Sequence, residues 1–461
     1  MKVSRVLSGK NLRYVIISLF WYLALFPGRI GYDYSEAFRI MQSGKSTDLW
    51  TGIFFNFLRV ASLNGQVLFL ASGILLSIYG VSIKYLVESL PIKEKNIRNI
   101  LTFFYLSPFY GNFGLTVSHD VTQTSGILIL IGLNMRMLSS KSLKKKEIII
   151  STFCAFLFTS TVRTGLALII LQTLILYFKF KYRKIGVILL FTIILVQHLF
   201  SIGITKYPSP INYSPIIADI KCVTQHSEAR ISSDEWTTLL KINTKDKWTK
   251  PYTCANSDEP LKVIDLSNLN KISKNDLLKV YFEITIKNPA IVTMAHIQRS
   301  NVALPPPFFQ PPKNQISWDI EKPIGAGTNI ALQEGPELLH PSIDEPSLKI
   351  NFGFWNKVQN FFLLPSFLIN QASWFWGWGG FWLWPMLFAL IRFSNKIKDI
   401  LYILSPILLN HGLLFILAPS SLPRYVYSTI VFGIICMMMI INSYINRIRS
   451  ENRRNSVSIN D

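Results

Sequence analysis

The chain has 461 residues, of which 50% are hydrophobic and only 16% are charged, against roughly 25% charged residues in soluble domains. Apolar stretches of membrane-spanning length recur along it, so the composition excludes a soluble globular protein and predicts a polytopic membrane protein. The net charge of +21 does not indicate nucleic-acid binding. The basic residues cluster in short loops between apolar runs, as they do on the cytoplasmic side of membrane proteins.

The N-terminal apolar run, residues 14–26, follows a basic N-terminus and is not followed by a small-x-small cleavage site. It predicts an uncleaved first span with a cytoplasmic N-terminus. The run stops at Pro27-Gly28, so the loop 28–64 is expected outside the membrane. This loop carries Asp33 and Glu36 just past the membrane edge. Its apolar stripe between 54 and 60 predicts helices that lie at the interface.

Spans two, three and four are predicted at about 65–83, 99–118 and 121–137. Pro108 and Gly111 predict a break near the outer end of the third span. The fourth span is preceded by Ser118-His119-Asp120. Because the basic loops fall on the opposite side, this tripeptide is expected at the outer face.

The stretch 148–178 is apolar and carries a single charge, Arg163. One helix over this stretch would be about 46 Å long, against a hydrocarbon core of about 30 Å. It would also leave Arg163 at mid-membrane, which is costly. Two short spans that turn at Arg163-Thr164-Gly165 avoid both problems, and a seventh span is expected at about 185–205.

The block 206–355 is hydrophilic and is expected outside the membrane as a mixed domain between spans seven and eight. Asn288-Pro289 predicts the start of a helix that runs to about Arg299. Cys222 and Cys254 lie in this block. A disulfide between them is permitted in an oxidising compartment, and the sequence alone leaves it open.

The C-terminal membrane region, residues 356–446, is expected to hold an interfacial segment and three spans, followed by a cytoplasmic tail at 447–461. Five tryptophans between 374 and 384 indicate an aromatic belt at the membrane surface. Arg424-Tyr425 opens the last span. With the N-terminal membrane region 1–205, the predicted fold is an all-α polytopic membrane protein of roughly ten transmembrane helices.

This topology, built from the cytoplasmic loops, places several chemically capable residues on one outer face: Asp33, His119, Asp120, Arg163 and Arg424. Each also has a purely structural explanation. The loop acids can be solvated, Asp120 can complement a helix dipole, and the arginines can extend to lipid headgroups.

Five features in chain order carry a resemblance to a known family. The first three are an acid in the first outer loop, Pro27-Gly28 with Asp33; the Ser118-His119-Asp120 after span three; and Arg163 after span five. The last two are Asn288-Pro289 with Arg299 in a large outer block, and Arg424-Tyr425 at the last span. In this layout the chain resembles the GT-C superfamily, polytopic glycosyltransferases that use polyprenyl-phosphate-linked sugars. Tyr34 follows Asp33 where the family often has a second carboxylate, and Leu49-Trp50-Thr51 stands where some relatives have His-Pro. These departures leave the subfamily and the sugar open.

The resemblance implies that Asp33 is the general base and Asp120 a second catalytic acid. It implies that the remaining site residues bind substrate: Glu36, His119, Arg163, Arg299, Arg424 and Tyr425. Arginine suits the departing phosphate because its planar fork matches phosphate oxygens. The expected partners are a polyprenyl-phosphate-linked sugar donor, a glycan, lipid or protein acceptor, and membrane lipids; a divalent metal is left open. The expected location is a bacterial inner membrane, with the active site on the extracytoplasmic face.

Two other functions fit parts of the pattern. A polysaccharide polymerase or O-antigen ligase also has a large outer loop, and it should depend on arginines and histidine in that loop more than on Asp33. A transporter or flippase of lipid-linked glycans should carry charged residues near mid-membrane. The predicted spans are nearly free of charge, which favours the enzyme.

Overall fold

A computed structural model describes these residues of the chain: 9–25, 29–30, 37–38, 40–44, 51–139, 143–201, 213–252, 254, 268, 272–304, 378–393, 397–417 and 423–457. Asp33 and Glu36 lie outside the described residues, and so do Trp374 and Trp376 of the predicted aromatic belt. The backbone of Arg424 is described but its side chain is not.

The first half of the described chain is a series of nine helices. They are α1 Gly9–Ala24, α2 Gly52–Ala61, α3 Leu68–Ser89, α4 Glu94–Leu106, α5 Pro108–Gly114, α6 His119–Leu138, α7 Lys145–Thr159, α8 Gly165–Phe178 and α9 Arg183–Ser201. Two short strands, β1 Arg29–Ile30 and β2 Thr116–Val117, pair in parallel.

The second half contains five helices between 213 and 304 and three more after 378. They are α10 Ser214–Thr224, α11 Ser233–Leu240, α12 Lys245–Thr249, α13 Lys274–Lys287, α14 Pro289–Ser300, α15 Gly379–Phe393, α16 Ile397–Leu417 and α17 Tyr427–Val457. Short 3₁₀ turns, Asn301–Ala303 and Pro423–Val426, follow α14 and precede α17.

Among the described residues, five helices are long and apolar enough to cross a membrane: α3, α6, α9, α16 and α17. The prediction of an all-α membrane protein is confirmed in this coarse form, and the ten spans stay a prediction. The predicted break in the third apolar run is confirmed at Ser107, which lies between Leu106, the last residue of α4, and Pro108, the first residue of α5. The stretch 148–178 forms two helices, α7 and α8, joined by a turn at 160–164, also as predicted.

Helix ends separate into two groups along the bundle. At one end, Arg136 near the end of α6 pairs with Glu147 at the start of α7 and donates from Nε to Ser89 Oγ of α3 at 2.7 Å. At the opposite end, the hydroxyls of Thr122 in α6 and Thr161 in the α7–α8 turn lie 2.7 Å apart. We call these the Arg136 end and the Asp120 end. α6 therefore runs from the Asp120 end to the Arg136 end and α7 runs back, as two successive crossings of a membrane would.

The segment 213–304 has an apolar cluster of its own, separate from the main bundle core. Ile220 of α10, Leu239 of α11 and Trp248 of α12 are buried in it with Leu277 and Ile284 of α13. Every element described in this segment is helical; much of the block 206–355 lies outside the described residues, so the expected mixed domain stays a prediction. Two of these helices, α11 and α13, begin at side-chain caps on Ser232 and Ser273. The helix predicted from Asn288-Pro289 is α14.

Close approach between α7 and α8 depends on Gly165. A Cβ atom at this position would lie 1.7 Å from the carbonyl oxygen of Thr159. Gly165→Ala should therefore force the 160–164 turn open and lower the free energy of unfolding by about 1–3 kcal/mol. The measurement is the apparent melting temperature of the purified protein in detergent.

Gly412→Ala is the matched control for this prediction. Gly412 lies inside α16, a Cβ atom added to it would meet nothing within 4 Å, and alanine is the better helix former. This variant should melt at or slightly above the wild-type temperature. Equal melting of the two variants would contradict the proposed crowding at Gly165.

Candidate active site at one end of the helix bundle

The parallel pair β1–β2 brings the first loop to the start of α6. Arg29 is paired with Thr116 and Ile30 with Val117, and Ser118-His119-Asp120 follows β2 directly. The chain that leaves α1 is thus hydrogen-bonded beside the residues that open α6. Sequence reasoning missed this pair, because two-residue strands leave no detectable alternation.

The first turn of α6 holds two of the predicted site residues against each other. Ser118 is the N-cap: its Oγ accepts from the backbone N–H of Asp120 at 3.0 Å and donates to Asp120 Oδ2 at 2.8 Å. His119 Nε2 lies 3.4 Å from Asp120 Oδ1. Asp120 is only 3% exposed, while His119 is half-buried and its ring is perpendicular to that of Phe54 of α2. The positive end of the helix dipole favours a carboxylate here.

The turn that carries Arg163 is joined to this helix start. Thr122 Oγ1 lies 2.8 Å from the carbonyl oxygen of His119 and 2.7 Å from Thr161 Oγ1. Thr51, the N-cap of α2, donates from Oγ1 to the carbonyl oxygen of Thr161 at 2.8 Å. Arg163, two residues beyond Thr161, has an exposed side chain. The first turn of α6 therefore fixes both α2 and the Arg163 turn.

A chain of side-chain amides extends the network to the last helix. Gln123 donates from Nε2 to Thr164 Oγ1 at 3.4 Å and to Asn410 Oδ1 of α16 at 3.3 Å. Asn410 Nδ2 donates to the carbonyl oxygen of Tyr425 at 3.0 Å. Tyr425 follows Arg424 in the 3₁₀ turn before α17. One end of the bundle thus gathers His119, Asp120, the Arg163 turn and the Arg424-Tyr425 turn.

Arg299 lies elsewhere, in a buried cluster around Asp219 of α10. Arg299 and Asp219 are each 1% exposed and form an ion pair. Tyr281 donates to Asp219 Oδ2 at 3.1 Å, and His296 Nε2 lies 3.1 Å from the same oxygen. Burial, and then the Asp219 carboxylate, raise the pKa of Tyr281 to about 12. These contacts give Arg299 a structural role, and none of them supports its predicted role in substrate binding.

Cys222 and Cys254 form a disulfide beside this cluster. Arg299 Nη1 lies 3.5 Å from the carbonyl oxygen of Cys254. The cross-link therefore holds the chain at Cys254 against the ion pair between α10 and α14. Sequence reasoning identified both cysteines but had no signal for Asp219, which lies 80 residues before Arg299.

No family model, curated protein or solved structure significantly matches this chain. A functional interpretation therefore depends on the residues and their contacts. Among the described residues, no group of three or more His, Cys, Asp or Glu side chains is placed to hold a metal ion.

The structural role of Arg299 can be tested with a charge-removing variant. Arg299→Gln leaves the Asp219 carboxylate buried without its guanidinium partner, so it should lower the free energy of unfolding by about 3–5 kcal/mol. The double variant Asp219→Asn/Arg299→Gln removes both charges and should recover much of this loss. The measurement is the apparent melting temperature in detergent.

Arg230→Gln serves as the control, because Arg230 is an exposed arginine of the same segment. Its effect should stay within about 0.5 kcal/mol. An Arg299→Gln protein that melts like the wild type but no longer binds a lipid-linked donor would instead support the substrate-binding role.

Proposed function

We propose that the protein is a membrane glycosyltransferase of the GT-C type, which moves a sugar from a polyprenyl-phosphate donor to an acceptor on the extracytoplasmic face. The observation that carries the proposal is the convergence at the Asp120 end. A buried carboxylate and two arginine-bearing turns, from helices far apart in sequence, are joined there by one hydrogen-bonded network. Carboxylate and arginine are the groups that transfer from a lipid phosphate needs.

Asp33 is the proposed general base, and its neighbours in sequence support this. It follows Ile30 by three residues, as Asp120 follows Val117 by three, and Ile30 is paired with Val117. Three residues of chain reach at most about 11 Å. The first-loop acid is therefore tethered close to the start of α6, so both acids can serve one site.

The chemistry assigns each group a step. Asp33 takes the proton from the acceptor hydroxyl as the hydroxyl oxygen attacks the anomeric carbon of the donor. Arg163 and Arg424 neutralise the phosphate as it leaves with the lipid. Asp120, with His119 beside it, acts as the second acid and orients the substrate. Glu36 and Tyr425 are proposed to contact the sugar or the acceptor.

The proposed topology has ten crossings, with the segment 213–304 outside. The shorter helices α7 and α8, of 15 and 14 residues, are about 22 Å and 21 Å long, less than a hydrocarbon core of about 30 Å. The turn between them, with Arg163, would then lie at or slightly below the headgroups, where a lipid phosphate is found. The Cys222–Cys254 disulfide supports an oxidising compartment for the outer segment.

The alternative functions find less support. A polymerase or O-antigen ligase should use arginine and histidine of the outer segment, and two of the four such residues described there, Arg299 and His296, contact the buried Asp219. A transporter or flippase should carry charge near mid-membrane. Among the described residues, the paired charges of the main bundle lie near helix ends, as with Arg136 and Glu147 or Lys179 and Asp399.

The general-base role predicts a specific loss of turnover. Asp33→Asn removes the proton acceptor at nearly constant volume, so it should lower the rate of transfer by about 100-fold or more while insertion and melting stay unchanged. The measurement is donor consumption in membranes supplied with a panel of purified polyprenyl-phosphate sugars. Asp120→Asn should have a milder effect. If the Asp33→Asn variant retains most of the wild-type activity, Asp33 is not the base.

The phosphate-binding role predicts sensitivity to arginine chemistry. Arg163→Lys and Arg424→Lys keep the charge but lose the planar fork, so both should weaken donor binding, and the Ala variants should weaken it further, by about tenfold or more. The measurement is binding of a lipid-linked sugar to purified protein. Arg392→Lys, an exposed arginine in the last turn of α15, is the control and should bind like the wild type. If Arg163→Lys and Arg424→Lys also bind the donor like the wild type, both arginines are membrane anchors.

A further inference from the structure

The surface of α14 differs from that of an ordinary water-facing helix. Its exposed residues are uncharged: Pro289, Ala290, Thr293 and Met294. Its two basic side chains, His296 and Arg299, are directed to Asp219. Water-facing helix surfaces normally carry charged and polar side chains, so this face of α14 is suited to a different environment.

The preceding helix exposes two large apolar side chains near the same place. The first half of α13 exposes Lys274, Asp276 and Lys279. The second half exposes Phe282 and, at 77%, Ile286, beside Lys287 and the partly exposed Glu283. Phe282 and Ile286 are four residues apart and share one face of the helix. Lys287 at the end of α13 is paired with Glu235 at 2.6 Å. We call the surface made by Phe282, Ile286, Pro289, Ala290 and Met294 the apolar corner.

Two contacts fix the level of α14 along the main bundle. His411 Nδ1 of α16 lies 2.8 Å from the carbonyl oxygen of Ala303, and His296 Nδ1 lies 3.1 Å from the carbonyl oxygen of Phe415. Residues 296–303 therefore lie beside residues 411–415 of α16, and the two segments run antiparallel. Met294 is two residues, about 3 Å, beyond His296. The apolar corner thus begins near the level where α16 ends, at Leu417.

The end of α16 at this level is itself apolar and exposed. Its last three residues, Phe415, Ile416 and Leu417, are all exposed in a helix with the length and composition of a membrane span. Such a helix end faces lipid at the boundary between acyl chains and headgroups. Met294 is exposed near this level, and Ile286 is exposed at the end of the preceding helix.

We propose that the apolar corner inserts into the headgroup–acyl boundary of the bilayer at the Asp120 end. Exposed apolar patches bordered by charged residues mark protein or membrane interaction sites. The corner then holds the segment 213–304 on the membrane surface through a contact independent of the His296 and Ala303 bonds. The proposal does not depend on the chemistry of the site.

Depth-dependent quenching of a fluorophore tests this proposal in the full-length protein in lipid nanodiscs. The free cysteines Cys154 and Cys436 are replaced by serine, and the Cys222–Cys254 disulfide is kept. Single cysteines from Ile286→Cys, Met294→Cys and Phe282→Cys are each labelled with a thiol-reactive bimane. Leu240→Cys is the matched control. Leu240 is an apolar residue of the same segment, 49% exposed, but it lies on α11 next to the exposed Lys241.

Labels at positions 282, 286 and 294 should lose at least half of their fluorescence when the nanodisc lipids carry bromine on their acyl chains, and should resist iodide in the buffer. The label at 240 should show the opposite response. Quenching of the corner labels by iodide alone would overturn the proposal, because the corner would face water. Protection from both quenchers would also overturn it, because a protein partner or a second copy would cover the corner. Three labelling sites guard against one substitution that disturbs folding.

Discussion

The candidate site depends on how the side-chain amide of Gln123 is satisfied. Inside an apolar bundle, a polar side chain must find its partners within the protein. Gln123, one turn into α6, does so by donating to Thr164 and to Asn410. These bonds set the Arg163 turn and α16 at fixed positions relative to Asp120. Asn410 then fixes the Arg424-Tyr425 turn by donating to the backbone carbonyl of Tyr425. The Arg163 turn, α16 and the Arg424-Tyr425 turn are thus all positioned relative to Gln123.

The segment 213–304 follows the same rule around a charge. The Asp219 carboxylate on α10 is contacted by Tyr281 of α13 and by His296 and Arg299 of α14. One buried anion therefore holds three helices together, and the other ring nitrogen of His296 extends the cluster to α16. Burial of a lone carboxylate would be costly, so the three helices are stable together only when these donors are in place. The interior of the segment is thus organised by one ion pair and one apolar cluster.

Much of the helical framework could be predicted from local patterns. Apolar runs and the basic residues between them located the helices, Pro108 located the break before α5, and the single charge at Arg163 located the α7–α8 turn. The contacts that build the site could not be predicted in this way. Gln123 and Asn410 are 287 residues apart, and no local periodicity indicates which distant amide completes a hydrogen bond. The same limit hid the β1–β2 pair and the ion pair that gives Arg299 its structural role.

The separation of Gln123 from its partners also bears on biosynthesis. Thr164 is 41 residues downstream of Gln123 and Asn410 is 287 residues downstream. As the chain emerges from the ribosome, N-terminal parts fold first, so the amide can bind Thr164 long before α16 exists. The early helices are then held by a provisional bond, and the amide gains its second acceptor only when the C-terminal helices insert. The Asp120 end is therefore completed only at the end of translation, and a nascent chain that stops before α16 has the first turn of α6 without the Arg424-Tyr425 turn.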